Sequence, residues 1–301
     1  MVETNFSGPL MVGGVMTLGA GPLILPTRRA PIWVDLNASG AGNGKSPKNA
    51  YTTIQAAVTA GEALSHAGTE LIQYAILPGD YEEAVTITKS FQRLVNIGEA
   101  GNVAIAPGGN GIAVTIEGTA AARARDITLV SIGGEGAGTG GGLYLKGNIR
   151  RVRVLGGKFE GGAFSVKLES TAAGSVGDTR ILGAELAWTT KGLHVTVSGG
   201  GDAVTQTLLQ GCLLHNFTDG IVGNAAAPPD GLWIINNILD QKEAGADPTT
   251  FLDIDDVGTQ GFVAGNYFAW ATNATALLKI AATVLWGPNG TEAGWSTARP
   301  A

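Results

Sequence analysis

A six-residue pattern that returns about every 27 residues constrains this chain more than any other feature. It runs VLGGKF from Val154, ILGAEL from Ile181, LLQGCL from Leu208, IINNIL from Ile234 and VAGNYF from Val263, at spacings of 27, 27, 26 and 29. Each copy has two apolar residues, a small or amide pair, one variable residue and a closing apolar residue. A second series interleaves with it: GIAVTI from Gly111, GLYLK from Gly142, AFSVKL from Ala163, GLHVTV from Gly192, DGIV from Asp219, TFLDID from Thr250 and ALLKI from Ala276. Here apolar and variable residues alternate, as in strands with one buried face.

Two short strands in each such repeat, with no helical pattern between them, exclude a propeller blade and a leucine-rich repeat. They predict an all-β solenoid, a right-handed parallel β-helix, whose coils stack about 4.8 Å apart with inward side chains in ladders. Phe159, Leu186, Leu213, Leu239 and Phe268 form one expected ladder, with Asn236-Asn237 and Gly265-Asn266 at bends where positive φ is tolerated. Glycine makes up 47 of 301 residues with no three-residue period, which excludes collagen. Many of these glycines fall at the expected bends, and Gly133–Gly142 reads as a flexible connection between coils.

The pattern divides the chain into an extended N-terminal anchoring arm (1–31), an N-terminal cap with a short helix (32–70), the solenoid (71–285) and a C-terminal tail (286–301). Thr52 or Thr53 serves as N-cap of the expected helix, which runs to Ala60 and covers the open end of the solenoid. Met11–Leu25 is apolar, but Gly and Pro interrupt it and no basic residue precedes it, so neither a secretion signal nor a membrane span is expected. Nineteen basic against twenty-five acidic residues argue against a nucleic-acid surface. The single cysteine, Cys212, has no partner for a disulfide, and no metal-ligand spacing or cofactor motif emerges. Ser39–Ser46 approaches a phosphate-binding loop but starts on Ser39 and runs into Pro47, so it reads as a Gly-rich turn.

The repeat alignment puts Gly161, Trp188, His215, Gln241 and Trp270 in one outward column, with Glu160 and Asp240 one position earlier. Trp188, His215, Asp240, Gln241 and Trp270 are therefore the expected contacts for a glycan or a neighbouring subunit. Glu160 and Asp240 lie three coils apart, about 14 Å, too far for the carboxyl pair of a glycosidase. His194 is expected on the outer surface, with Asp253 two coils on. The basic run Lys146, Arg150, Arg151, Arg153 and Lys158 and the acidic run from Asp240 to Asp256 read either as complementary docking patches, with Arg150, Arg151 and Arg153 as the docking residues, or as solvated outer strand faces.

The opening Trp33-Val-Asp-Leu, Gly40-Ala-Gly-Asn-Gly, Tyr51-Thr-Thr-Ile-Gln-Ala-Ala-Val and Ile76-Leu-Pro-Gly-Asp-Tyr-Glu-Glu resembles that of pectin-lyase-like β-helix proteins, and the pattern of that family extends over residues 32–285. The family includes pectate lyases, methylesterases, polygalacturonases and many phage tailspikes and virion proteins; the arm Asn5-Phe-Ser-Gly-Pro-Leu resembles those of phage virion proteins. The enzymatic signatures are incomplete here. Asn216-Phe-Thr-Asp219-Gly matches part of one, Gly-His-Gly is absent, and no arginine motif accompanies the cluster Asp253, Asp255 and Asp256.

The resemblance therefore implies a structural protein of a phage particle, a capsid decoration protein or short tailspike. It would be a homotrimer held to other virion proteins by its arm and contacting host polysaccharide, without cofactor, nucleic acid or membrane insertion. The alternative is a lyase or hydrolase of an acidic glycan, with Asp219, Asp253 and Asp255 as its carboxylates.

Overall fold

The computed structural model describes residues 10–12, 15–17, 29–64, 70–98, 102–223, 229–240, 249–255, 259–269, 278–291 and 294–296. Strands stacked coil on coil form a parallel β-solenoid. Ten strands, from Ile32–Val34 to Val284–Trp286, make one all-parallel face in sequence order. Two further parallel ladders start at Gly79–Tyr81 and Val85–Ile87. They merge where the long strands Glu185–Val197 and Leu213–Val222 run through both.

Each full coil thus has three strands rather than the two read from the sequence, because the first series of segments straddles a corner. Its opening residues end the ten-stranded face, and its closing residues begin the short ladder. Between them stand Gly156, Gly183, Gly211, Asn236 and Gly265, all at φ between 55° and 69°, where only glycine and asparagine sit at little cost.

The second series behaves as its alternation requires. Val114, Leu143, Val166, Leu193, Ile221, Leu252 and Leu278 pair from coil to coil in one buried column. In the first series one segment is out of step. The aligned column runs Val154, Ile181, Leu209, Ile234 and Val263, so the interior ladder is Phe159, Leu186, Leu214, Leu239 and Phe268. Leu213 is 38% exposed instead. That coil is one residue longer than the pattern suggested, and a one-residue shift turns every side chain to the other face.

Among the described residues a single α-helix, Ile54–Leu64, covers the first coil, burying Ile54, Ala57, Val58 and Gly61. It passes the expected end at Ala60 because Gly61 is not a stop: a Cβ there would lie 2.1 Å from the Tyr74 hydroxyl. The next residue, Glu62, takes the backbone N–H groups of Thr88 and Lys89 on its carboxylate (2.6 and 2.9 Å). Gly133–Gly142 is not a loose connection. Ile132–Glu135 and Gly141–Gly147 are strands, and the glycines permit close stacking, since a Cβ on Gly141 would meet the Phe164 ring at 2.4 Å.

The Ser39–Ser46 turn spends its amides internally: Asn43 and Gly44 N–H both donate to the Asn49 carbonyl. Within the arm, Leu10–Val12 and Val15–Thr17 pair antiparallel. At the other end Asn289–Thr291 continues the short ladder and pairs antiparallel with Gly294–Ser296.

Candidate functional site

The corrected register splits the expected contact column in two. His215 shares a column with Glu160, Ala187 and Asp240. Trp188 lies one residue further along, at φ 49°, matched one coil on by Asn216 at φ 54° and one coil back by Gly161 at φ 74°. This stacked corner turns Trp188 outward, 51% exposed, edge-on to the His215 ring at 6.3 Å.

The Asn216 amide nitrogen, Nδ2, can only donate, so His215 Nδ1 accepts its hydrogen bond (3.0 Å) and Nε2 carries the proton toward Glu185 Oε1 (3.0 Å). An exposed indole beside an oriented imidazole and the Asp240 carboxylate suits contact with a sugar ring or another chain. Gln241 and Trp270 lie outside the described residues.

The three candidate carboxylates do not converge. Asp219 accepts from the Thr250 hydroxyl at 3.0 Å and is in register with Thr250. Asp253 is three residues further along that strand, about 10 Å at the usual rise, and is paired with Lys279 Nζ at 3.1 Å. Asp255 lies at the end of the strand, exposed. Asp219 and Asp253 are thus further apart than either glycosidase pair, and Asp253 is held by its own cation. Among the described residues no group of three or more His, Cys, Asp or Glu could hold a metal ion.

A polar cluster that the sequence reading passed over lies on the outer side of the long-strand ladder. Tyr144, Lys167 and His194 occupy one column on successive coils, and Glu169 and Thr196 the next. Glu169 is 9% exposed; it accepts from the Tyr144 hydroxyl, Ser198 Oγ (2.5 Å) and Lys167 Nζ (2.6 Å). Burial alone would raise its pKa, but these donors outweigh burial and hold it at about 2.

His194 is pushed down to about 4 by burial, and then by Lys191 and Lys167. A carboxylate this acidic does not take up a proton near neutrality, and His194 stays neutral there. The cluster is therefore a rigid hydrogen-bonded surface rather than proton-transfer machinery. Part of its signal was present in the sequence, since Tyr144, Lys167 and His194 each stand between two apolar residues in consecutive copies of the second series, although Lys167 falls two places later in its segment than the other two.

The three arginines expected to dock differ in their surroundings. Arg150 lies across Gly177, where a Cβ would come 3.0 Å from its Nη1. Arg151 sits at φ 55° and grips Asp126 through Nε and Nη2 at 2.6 and 2.7 Å. Arg153 stands exposed beside them. The column of Arg151 is a repeated bulge in which Asp126, Arg151, Asp178, Gln206 and Gly231 all take φ between 50° and 75°. A bulge in one coil must be matched in the next if the ladder on either side is to continue.

Neither a protein-family model nor a curated protein sequence matches this chain. In fold it is similar to ORF18 of Geobacillus virus E2, with a TM-score of 0.54 and 16% identity over 86% of this chain and 55% of that one. The chain thus spans about half the length of that protein, and at this identity the likeness is one of architecture.

Proposed function

We propose that this chain is a structural β-solenoid of a bacteriophage particle, a capsid decoration protein or short tailspike that packs side by side with two copies of itself. In this reading the N-terminal arm holds it to other virion proteins, and the corner bearing Trp188, His215 and Asp240 meets host polysaccharide.

The observation that carries the reading is an apolar strip on the outer side of the ten-stranded face. Leu208, Trp233, Phe262 and Leu285 follow one another in a single column, with Trp233 36% and Leu285 70% exposed. Leu213 and Ile238, 38% and 48% exposed, form a second apolar column around the corner. A column runs from coil to coil along the solenoid, so the strip is continuous and suits burial against a parallel copy; exposed apolar patches of this kind mark interaction surfaces. Similarity in fold to a phage protein supports the setting. The separated carboxylates give the lyase or hydrolase reading no comparable support.

Light scattering on the purified protein tests the assembly. Three copies of the 30.5 kDa chain are expected, and a monomer at micromolar concentration overturns the trimer. Recovery of the chain in purified particles of the phage that encodes it tests the setting, and depolymerisation of an acidic glycan would favour the enzyme.

A further inference from the structure

On the N-terminal half of the same ten-stranded face, Arg93, Thr128 and Arg153 form one outward column over three coils, beside the bulge that carries Asp126 and Arg151. With Leu71 and Leu155 they line a cleft of about 270 Å³. Three guanidinium groups face one carboxylate there, and that carboxylate is taken up by Arg151 from both sides of its fork. Arg93 and Arg153 have no ion pair among the described residues.

Arg93 is 7% exposed, and its Nε has no hydrogen-bond partner. One coil toward the N-terminus its neighbour Gln73 is 3% exposed, with both side-chain amide atoms unpartnered. A guanidinium cannot shed its proton at any ordinary pH, so burying one without a counter-charge is costly unless an anion fills the place.

We propose that this cleft binds the phosphate or carboxylate group of a sugar-sized ligand. Arg93 and Arg153 supply charge-assisted hydrogen bonds, and Arg151, fixed by Asp126, presents a third guanidinium edge. The planar fork of arginine matches both oxyanions in a two-pronged contact. The volume lies at the small end of ligand pockets, which suits one acidic monosaccharide unit, and Leu71 and Leu155 provide apolar walls for its ring. The recessed Arg93 favours a small anion over a carboxylate on a flat protein surface. The inference does not depend on the particle reading, since every residue in it belongs to one chain.

Calorimetric titration at low salt with inorganic phosphate, glucose 6-phosphate, glucuronate and glucose tests it. Saturable binding is expected for at least one anion and none for glucose. Saturation by phosphate compounds identifies phosphate as the group, and saturation by glucuronate identifies carboxylate. Arg153→Gln, at an exposed position, should weaken binding about tenfold or more, the usual effect of losing a charged hydrogen bond. Arg93→Lys keeps the charge and loses the fork, so it should weaken binding while the unfolding temperature stays near that of the parent. No saturation by any anion, equal binding of glucose, or an unchanged constant in Arg153→Gln overturns the proposal. Salt-sensitive self-association that phosphate dissolves would also overturn it, by assigning the cleft to a carboxylate of a second copy.

Discussion

Asn266 shows how a single residue holds several coils together. Its Nδ2 donates to Asn289 Oδ1 and to the Ile234 carbonyl, both at 2.9 Å. Its Oδ1 accepts from the backbone N–H and the side-chain amide of Asn237, also at 2.9 Å. Cys212 stands at the head of this buried column, its N–H donating to Asn237 Oδ1 at 2.9 Å. Asn266→Ala leaves the buried Asn237 backbone N–H unpaired and takes one bond each from Asn237 Nδ2 and Asn289 Oδ1, so at about 1–3 kcal/mol for the unpaired group it should lower the denaturation midpoint with the slope unchanged. The sequence placed Asn236-Asn237 together at a bend; the division of labour, with Asn236 taking positive φ and Asn237 turning inward, needs the stacked coils. The outer cluster predicts an acid limit. His194 titrates at about 4 when folded against 6.5 ordinarily, so the unfolded chain binds the proton first as pH falls. Stability from neutral His194 is complete above about 6.5 and lost between 6.5 and 4, whereas that from Glu169 is complete above 4.5 and lost toward 2. Thermal melts from pH 7 to 3 should show both phases, and His194→Gln should flatten the first and leave the second.

The opening motifs acquire a mechanism at the level of elements. Glu83, from the Pro78-Gly-Asp-Tyr-Glu-Glu turn, places its carboxylate on the N–H groups of Ile54 and Gln55 at 2.5 and 2.9 Å, capping the helix from another segment. Thr53, the expected N-cap, contributes a 3.3 Å bond from the Ala56 N–H. Gln55 pairs with the strand Val85–Ile87 through both ends of its amide, accepting from Thr86 N–H at 2.6 Å and donating to the Thr86 carbonyl at 3.4 Å. The helix therefore closes the solenoid by hydrogen bonding to an exposed strand edge as well as by covering its core. Glu83→Ala should cost about 1–2 kcal/mol, the range for a lost cap, and Glu83→Gln less; chemical denaturation measures both. The helix was legible from the i, i+4 spacing of Ile54 and Val58, but its cap lies 29 residues away, and no local pattern connects the two.

The apolar strip makes its prediction about assembly for the whole molecule. Leu285→Asp and Trp233→Asp alter exposed side chains, so they should leave the fold intact while converting the oligomer to monomer in sedimentation; full-size oligomers in both variants would place the interface elsewhere. A column that begins with Arg93 and Arg153 and ends with Trp233, Phe262 and Leu285 divides one face into a charged half and an apolar half. That division is invisible in sequence order, since these residues lie about a coil apart. By itself the sequence determined the solenoid, its coil length, its bend residues and most of its buried ladders, because alternation and turn chemistry act over a few residues. The tertiary structure alone decided the register at Leu213–Leu214, the bulge that aims Arg151 at Asp126, the burial of Arg93 and the gathering of Glu169 with its three donors. Each depends on which residue of one coil stacks on which residue of the next, and coils of unequal length leave that relation open until the backbone ladders close.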